Sequence, residues 1–143
     1  MKTLIFGLAC GIGIVSGPAI AASWAPIADG LIPQIYVDTA SIRHEGKYTK
    51  GWFLSTYLEP QKNQAPTYTA TGTLIKPYLS EKSLLVADCA ARTSTTLQLW
   101  RYSGERGTGE VVESQTVKMY PQNFTDVVPD TIGEAMLNRL CRR

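Results

Sequence analysis

Apolar residues recur at helical spacing near the end of the chain. They are Ile132, Met136, Leu137, Leu140 and Cys141, which would share one face of a helix. Pro129 can precede a helix, and Thr131 with Glu134 forms a capping-box pattern. The pattern predicts one short amphipathic helix within residues 128–141. An isolated helix of about a dozen residues is marginal in water, so this helix needs a surface to lie on.

The chain between the N-terminal segment and this helix shows strand patterns separated by turn signals. Predicted strands cover residues 34–38 continued by 41–43, then 48–58, 67–75, 84–89, 95–102 and 110–117. Reversals are expected at 45–46, at 59–66 and at 103–109, where Gly, Pro and Asn cluster. Several short strands followed by one helix predict an α+β fold, an antiparallel meander of about six strands with one C-terminal helix.

Two of these strands carry more specific expectations. Large apolar residues occupy both faces of 48–58, which is typical of a strand in the middle of a sheet that is covered on both faces. In 67–75 threonines alternate with a second face that contains Ala70 and Gly72. Such small residues let another element approach the backbone closely, so we expect the helix to lie there.

The first residues have the form of a secretory leader. Lys2 is followed by an apolar run over 3–15 and then by small residues. This predicts a signal peptide over 1–21, cleaved between Ala21 and Ala22, and one domain over 22–143. Lipid attachment at Cys10 is the disfavoured alternative, because the usual apolar residue three positions earlier is missing. We expect export to the periplasm or outer surface, without a transmembrane anchor, since the run is shorter than about 18 residues.

The cysteine count suggests a covalent link. Of three cysteines, Cys10 leaves with the leader, and the remaining pair allows one intramolecular bridge in an oxidising compartment, Cys89–Cys141. That bridge would fasten the helix to the sheet. A pair of reactive thiols is the alternative. The net charge of +2 gives no strong field for nucleic acid.

No motif for catalysis, cofactor binding or metal binding emerges. Gly104, Gly107 and Gly109 are spaced like a phosphate loop, but a strand follows them where a helix is required, so a turn is favoured. The one histidine, His44, offers no Ser–His or Cys–His pair. Convergence of Asp38, Glu59 and Asp88 stays open, and with it the alternative of a small exported enzyme.

The aromatic content exceeds what one helix can cover. A helix of about 12 residues is roughly 18 Å long, whereas six strands make a sheet roughly 25–30 Å wide. The large rings concerned are Trp52, Phe53, Tyr57, Trp100 and Tyr102. We therefore expect a sheet face or edge to contact a protein ligand or a second copy. The residues predicted to bind a partner are Trp52, Trp100, Arg101 and Tyr102.

The order of several motifs is similar to one known family. The ordered set is Trp24, Tyr36-Val37-Asp38 with Ser41-Ile42, Trp52, Asp88-Cys89, Tyr102 with Gly107-Thr108-Gly109-Glu110-Val111-Val112, Pro129-Asp130-Thr131-Ile132-Gly133-Glu134, and Cys141. It resembles the surface-adhesin protein E family of Gram-negative bacteria over nearly the whole predicted domain. This chain departs from the family pattern at Asp130, where Gly is usual.

The resemblance implies an antiparallel sheet with a disulfide-tethered C-terminal helix, export, frequent dimer formation and adhesion to host proteins. The expectation is therefore an exported, non-catalytic envelope protein that acts as an adhesin or protein-binding module through surface patches. The alternative is a periplasmic structural or assembly factor.

Overall fold

A computed structural model of the chain describes residues 21–30, 32–62 and 76–142. Within these ranges the chain forms strands, short 3-10 turns and one α-helix. The strands are β1 (Trp24–Pro26), β2 (Gln34–Asp38), β3 (Arg43–Glu45), β4 (Tyr48–Gln61), β5 (Tyr78–Asp88), β6 (Thr93–Tyr102), β7 (Val111–Thr116) and β8 (Thr125–Asp126), and the helix is α1 (Ile132–Cys141). The 3-10 turns are Thr39–Ser41, Glu105–Gly107 and Pro121–Asn123.

All strands belong to one antiparallel sheet. Its main path runs β1-β2-β4-β5-β6-β7 in chain order, while β3 pairs with β4 and β8 pairs with β6. The predicted α+β meander with one C-terminal helix is therefore confirmed, and its main path has the expected six strands. The predicted strand 67–75 lies outside the described residues.

Several strand boundaries differ from the prediction. β4 runs to Gln61, past the expected reversal at residue 59, and β1 and β8 were not predicted. Ser41 does not continue β2, because the Asp38 carboxylate accepts a hydrogen bond from the Ala40 amide (3.1 Å) and starts a 3-10 turn instead. β5 begins at Tyr78, six residues before the expected start at Leu84. Its first half is polar, so it lacks the apolar alternation by which a strand is recognised in sequence.

Helix α1 begins at the expected cap. Thr131 Oγ1 accepts a hydrogen bond from the Glu134 amide at 3.3 Å. Glu134 Oε2 in turn accepts a hydrogen bond from the Asp130 amide (2.9 Å). The predicted capping box has the Thr131 amide as this donor, so the observed donor is one residue earlier in the chain. Asp130 has φ +58°, which lies in the left-handed region that favours glycine.

The core lies between α1 and one side of the sheet, here called the helix face. Leu137 and Leu140 are fully buried. The apolar residues packed there are Ile35, Val37, Phe53, Leu85 and Ala87, with Ile42, Ile132, Met136 and Cys141 at the margin. All five residues of the predicted apolar helix stripe thus contact the core, as expected.

Gly51 is where the helix comes closest to the sheet. A Cβ atom at Gly51 would lie 2.8 Å from Leu140 Cδ2 and 3.3 Å from Ile42 Cγ1. The expected approach site at Ala70 and Gly72 lies outside the described residues. The structure thus shows one close approach that the sequence did not indicate.

A disulfide bonds the helix to the sheet. Cys89 follows β5 directly, Cys141 ends α1, their Cα atoms are 5.6 Å apart and their sulfurs are bonded. The Ala91 amide donates to Asp88 Oδ1 (3.1 Å) in the turn that holds Cys89. This hydrogen bond, with Lys47 at 3.0 Å, keeps the pKa of Asp88 below its usual value. The predicted pairing is therefore present.

Replacing Gly51 by Ala is predicted to destabilise the fold. The added methyl group must displace Leu140 or Ile42, which costs about 1–3 kcal/mol in a packed core. Urea unfolding followed by circular dichroism measures this change. Gly133→Ala is the matched control, since its new Cβ would have 3.5 Å to the nearest atom, Thr131 Oγ1. That variant should keep its stability or gain up to about 1 kcal/mol, and equal losses in both variants would contradict the close approach.

Removing the bridge is predicted to weaken the fold strongly. The bonded cysteines are 52 residues apart, and closing a loop of that length stabilises the folded state by about 4 kcal/mol in the chain-entropy model. We expect the Cys89→Ser, Cys141→Ser double variant to lose stability up to this amount in urea unfolding. Mass mapping of the oxidised wild-type chain is the control, and two free thiols there would refute the tether.

Candidate partner-binding face

Alternation along β6 sends neighbouring side chains to opposite sides of the sheet. Gln98, Trp100 and Tyr102 face away from α1, whereas Leu99 and Arg101 face the same side as α1. The side opposite α1 is called the aromatic face below. Three of the four residues that the sequence predicted to bind a partner, Trp52, Trp100 and Tyr102, meet there, and Arg101 does not.

The aromatic face contains an open depression of about 420 Å³. Its rings are Trp24, Trp52, Trp100 and Tyr102, all half-buried. Its polar side chains are Asp38, Lys82 and Gln98. Trp24 and Lys82 were missed as site residues. The register of β5 with β6 places Lys82 directly opposite Trp100, but such a register cannot be read from a single sequence.

The hydrogen-bonding groups of this depression are mostly donors. Within residues 21–30, 32–62 and 76–142, the three indole N–H groups donate to no protein acceptor. The one carboxylate is that of Asp38, and its Oδ1 already accepts from the amides of Ser23 (2.8 Å) and Ala40 (3.1 Å). Asp38 is also only 8% exposed. The depression therefore offers N–H donors beside aromatic surface.

The 3-10 turn Glu105–Gly107 is fastened to the aromatic face by a buried serine. Ser80 Oγ donates to the Gly104 carbonyl (2.5 Å) and accepts from the Gly107 amide (2.8 Å). Gly107 packs so tightly on Lys82 that a Cβ would overlap Lys82 Cε, and its φ of +73° suits glycine. The glycine-rich segment is thus the turn that the sequence favoured, not a phosphate loop.

This arrangement fixes two cations above tyrosine rings. Lys82 Nζ lies 5.2 Å from the ring centre of Tyr102, and Arg106 Cζ lies 5.8 Å from that of Tyr36. Both distances are in the range of cation–π attraction. Neither cation forms an ion pair with a carboxylate in the part of the chain that the structure describes.

Arg101 takes part in a different cluster on the helix-face side. Its Nε lies 3.1 Å from Glu81 Oε2, and its Nη1 lies 2.5 Å from Glu113 Oε2. The guanidinium also lies 4.5 Å from the ring centre of Tyr78. The sequence grouping of Arg101 with Trp100 and Tyr102 was therefore wrong in geometry, because consecutive strand residues alternate between faces.

Tyr57 and Tyr78 complete this cluster edge to face, with ring centres 5.6 Å apart. Burial, reinforced by the Glu81 carboxylate, raises the pKa of Tyr57 well above its usual value. Burial also raises the pKa of Tyr78. Both phenols are therefore protonated at neutral pH and act as packing groups beside the Arg101 ion pairs.

The aromatic surplus expected from sequence is divided between the two sides. Phe53 is fully buried beneath α1, and Tyr57 is half-buried in the Arg101 cluster. Trp52, Trp100 and Tyr102 remain on the aromatic face, which α1 does not touch. The expectation that β4 is covered on both faces holds at Leu54, which is 4% exposed, but not at the half-buried Trp52 or at Leu58, which is 74% exposed.

The acidic residues left open as a catalytic set do not converge. Asp88 pairs with Tyr48 at one end of β4, while Glu59 lies near the other end, about 35 Å along the strand. Asp38 lines the aromatic face between them. In the described ranges no three His, Cys, Asp or Glu side chains are grouped closely enough to hold a metal ion.

A second depression of about 430 Å³ lies at the end of β2. Its lining includes Ile32 and Leu58, each 74% exposed, with Tyr36 and the single carboxylate Asp29. Its lining has one ring, that of Tyr36, over which Arg106 lies. The aromatic face, with four rings, is therefore the better candidate site.

Two further expectations concern the ends of the chain. Ala21 and Ala22 are exposed at the start of the described residues, and cleavage between them stays a prediction. Among the described residues, no helix has the length and apolar character needed to span a membrane.

Comparison with known proteins places the fold. The chain is similar to Haemophilus influenzae protein E: in crystal form II the identity is 13% and the TM-score 0.56, over 92% of this chain and 96% of that chain. The selenomethionine form gives 13% identity and a TM-score of 0.57 over 86% and 88% of the two chains. Protein E from a non-typeable strain gives 12% and 0.52 over 89% and 80%. These likenesses show a shared fold.

No curated protein sequence matches the chain. A family model does match: the model for surface-adhesin protein E covers residues 24–142, which include every described strand, the helix and both bridged cysteines. On this match, and with the disulfide-tethered helix in place, the chain belongs to the surface-adhesin protein E family.

Proposed function

We propose that this chain is an exported, non-catalytic binding protein that attaches to a protein ligand through its aromatic face. Family membership supports a surface adhesin role. The observation that carries the proposal is the group of four half-buried rings on the side of the sheet that α1 leaves uncovered.

The chemistry of the face suits protein recognition. Tryptophan and tyrosine dominate binding energy at protein interfaces, because they bring large rigid surfaces and a polar group that can hydrogen-bond. Trp52 and Trp100 bring such surfaces here, and their N–H groups, which have no acceptor among the described residues, can donate to a ligand. A second copy of the chain is the other protein that this face could receive, and it would make the chain a homodimer.

Replacing Trp100 by Ala is predicted to abolish most ligand binding. The mature chain, residues 22–143, is presented to a panel of purified host extracellular-matrix proteins and to envelope extract, and retained protein is quantified. Loss of a central ring should weaken binding at least about tenfold.

Arg101→Gln is the matched control, since it changes the next residue of β6 on the opposite side of the sheet. It should bind normally at 25 °C even though it loses the ion pairs with Glu81 and Glu113 and some stability. Circular dichroism confirms that each variant is folded. Equal binding by wild type and Trp100→Ala would remove the aromatic face from the function.

A surface adhesin is predicted to be cut on intact cells. Protease added to whole cells that express the full chain should remove an epitope placed at the C-terminus of the mature protein, while a periplasmic marker stays intact. Protection of the epitope until the outer membrane is opened would favour the periplasmic structural or assembly factor instead.

A further inference from the structure

We propose that the ligand segment received by the aromatic face is acidic, with carboxylates that engage Lys82 and Arg106 while apolar side chains contact the tryptophans. This inference rests on the proposed function and names the chemical class of the partner. It follows from three features of the face: its cations, its donors and its rings.

The first feature is uncompensated positive charge. Among the described residues five cations form an ion pair with a carboxylate, and five others away from the aromatic face form none, so a missing ion pair alone does not distinguish this face. Lys82 and Arg106, both on the aromatic face, also form none, and each lies over a tyrosine ring instead. A ring attracts a cation without neutralising it, so both charges remain available to a ligand.

The second feature is that these cations are held in place. The Ser80 hydrogen bonds to Gly104 and Gly107 fasten the turn that carries Arg106. The same turn packs Gly107 against the Lys82 stem. A surface cation that is already ordered loses less side-chain entropy on pairing than a free one, so an arriving carboxylate gains more from it.

The third feature is the excess of hydrogen-bond donors. Lysine, arginine and indole groups can only donate, and Oδ1 of the depression's single carboxylate, Asp38, already accepts from two backbone amides. A basic or donor-rich segment would leave these groups unpaired on binding. A segment with Asp or Glu between apolar residues supplies the missing acceptors.

The test uses two short synthetic peptides with a fluorescein label. One alternates Glu with Phe and the other alternates Lys with Phe, so they share apolar content and differ in charge. Fluorescence anisotropy with the mature wild-type chain should show binding of the Glu peptide that weakens as salt rises, and binding of the Lys peptide at least about tenfold weaker.

Variants then locate the effect. Lys82→Gln and Arg106→Gln should each weaken Glu-peptide binding about twofold to fivefold, and the double variant should bind both peptides equally. Arg142→Gln is the matched control, because it removes one positive charge at the exposed end of α1, on the other side of the sheet. It should bind the Glu peptide as wild type does.

Several outcomes would overturn the inference. Equal binding of the two peptides, or no binding of either, excludes an acidic segment. Concentration-dependent self-association that Trp100→Ala abolishes, measured by sedimentation velocity, assigns the face to a second copy. If the double variant retains the matrix or envelope ligand that Trp100→Ala loses, the acidic class fails and the proposed function stands. If Trp100→Ala keeps that ligand, the proposed function itself fails.

Discussion

The covalent tether between β5 and α1 is the constraint on which the rest of the fold depends. A ten-residue helix is about 15 Å long and marginal alone. The Cys89–Cys141 bond holds it where Leu137 and Leu140 can fill the core and where Gly51 leaves room for Leu140. Because so short a helix covers only the part of the sheet near β2, β4 and β5, the tether also decides which side remains uncovered.

Cations on the two sides of the sheet have different partners, although the same strands form both sides. Arg101 is compensated by two carboxylates on one side, and its neighbours Tyr57 and Tyr78 are protonated packing groups. Lys82 on the other side lies over the Tyr102 ring and forms no ion pair with a carboxylate of the described residues. The first arrangement stabilises the monomer and leaves little for a ligand. The second leaves a lysine without a carboxylate partner among the described residues, beside three half-buried tryptophans.

What the sequence could predict is what depends on local pattern. The helix and its Thr131 cap follow from spacing over a few residues, and the disulfide follows from counting cysteines after removal of the predicted leader. Other features depend on register and tertiary contacts. The closeness of Gly51 to Leu140, the pairing of Lys82 with Trp100 and the polar start of β5 against the Ser80-bound turn involve residues distant in sequence. The position of Arg101, in contrast, was predictable from the sequence. Side chains alternate along a strand, so Arg101 and Trp100 must lie on opposite faces of β6.

The residues that maintain the fold differ from those that line the aromatic face. This separation helps explain how a chain 13% identical to protein E keeps the same architecture. The fold requires small or apolar side chains under the helix, a helix cap and two cysteines. Many different residue types can supply the small or apolar side chains. None of these requirements involves Trp100, Lys82 or Arg106, which lie on the side of the sheet away from α1. Residues that the fold does not need can change without loss of structure. The proposed ligand class therefore rests on the rings and cations of this chain, because the shared architecture does not specify a ligand.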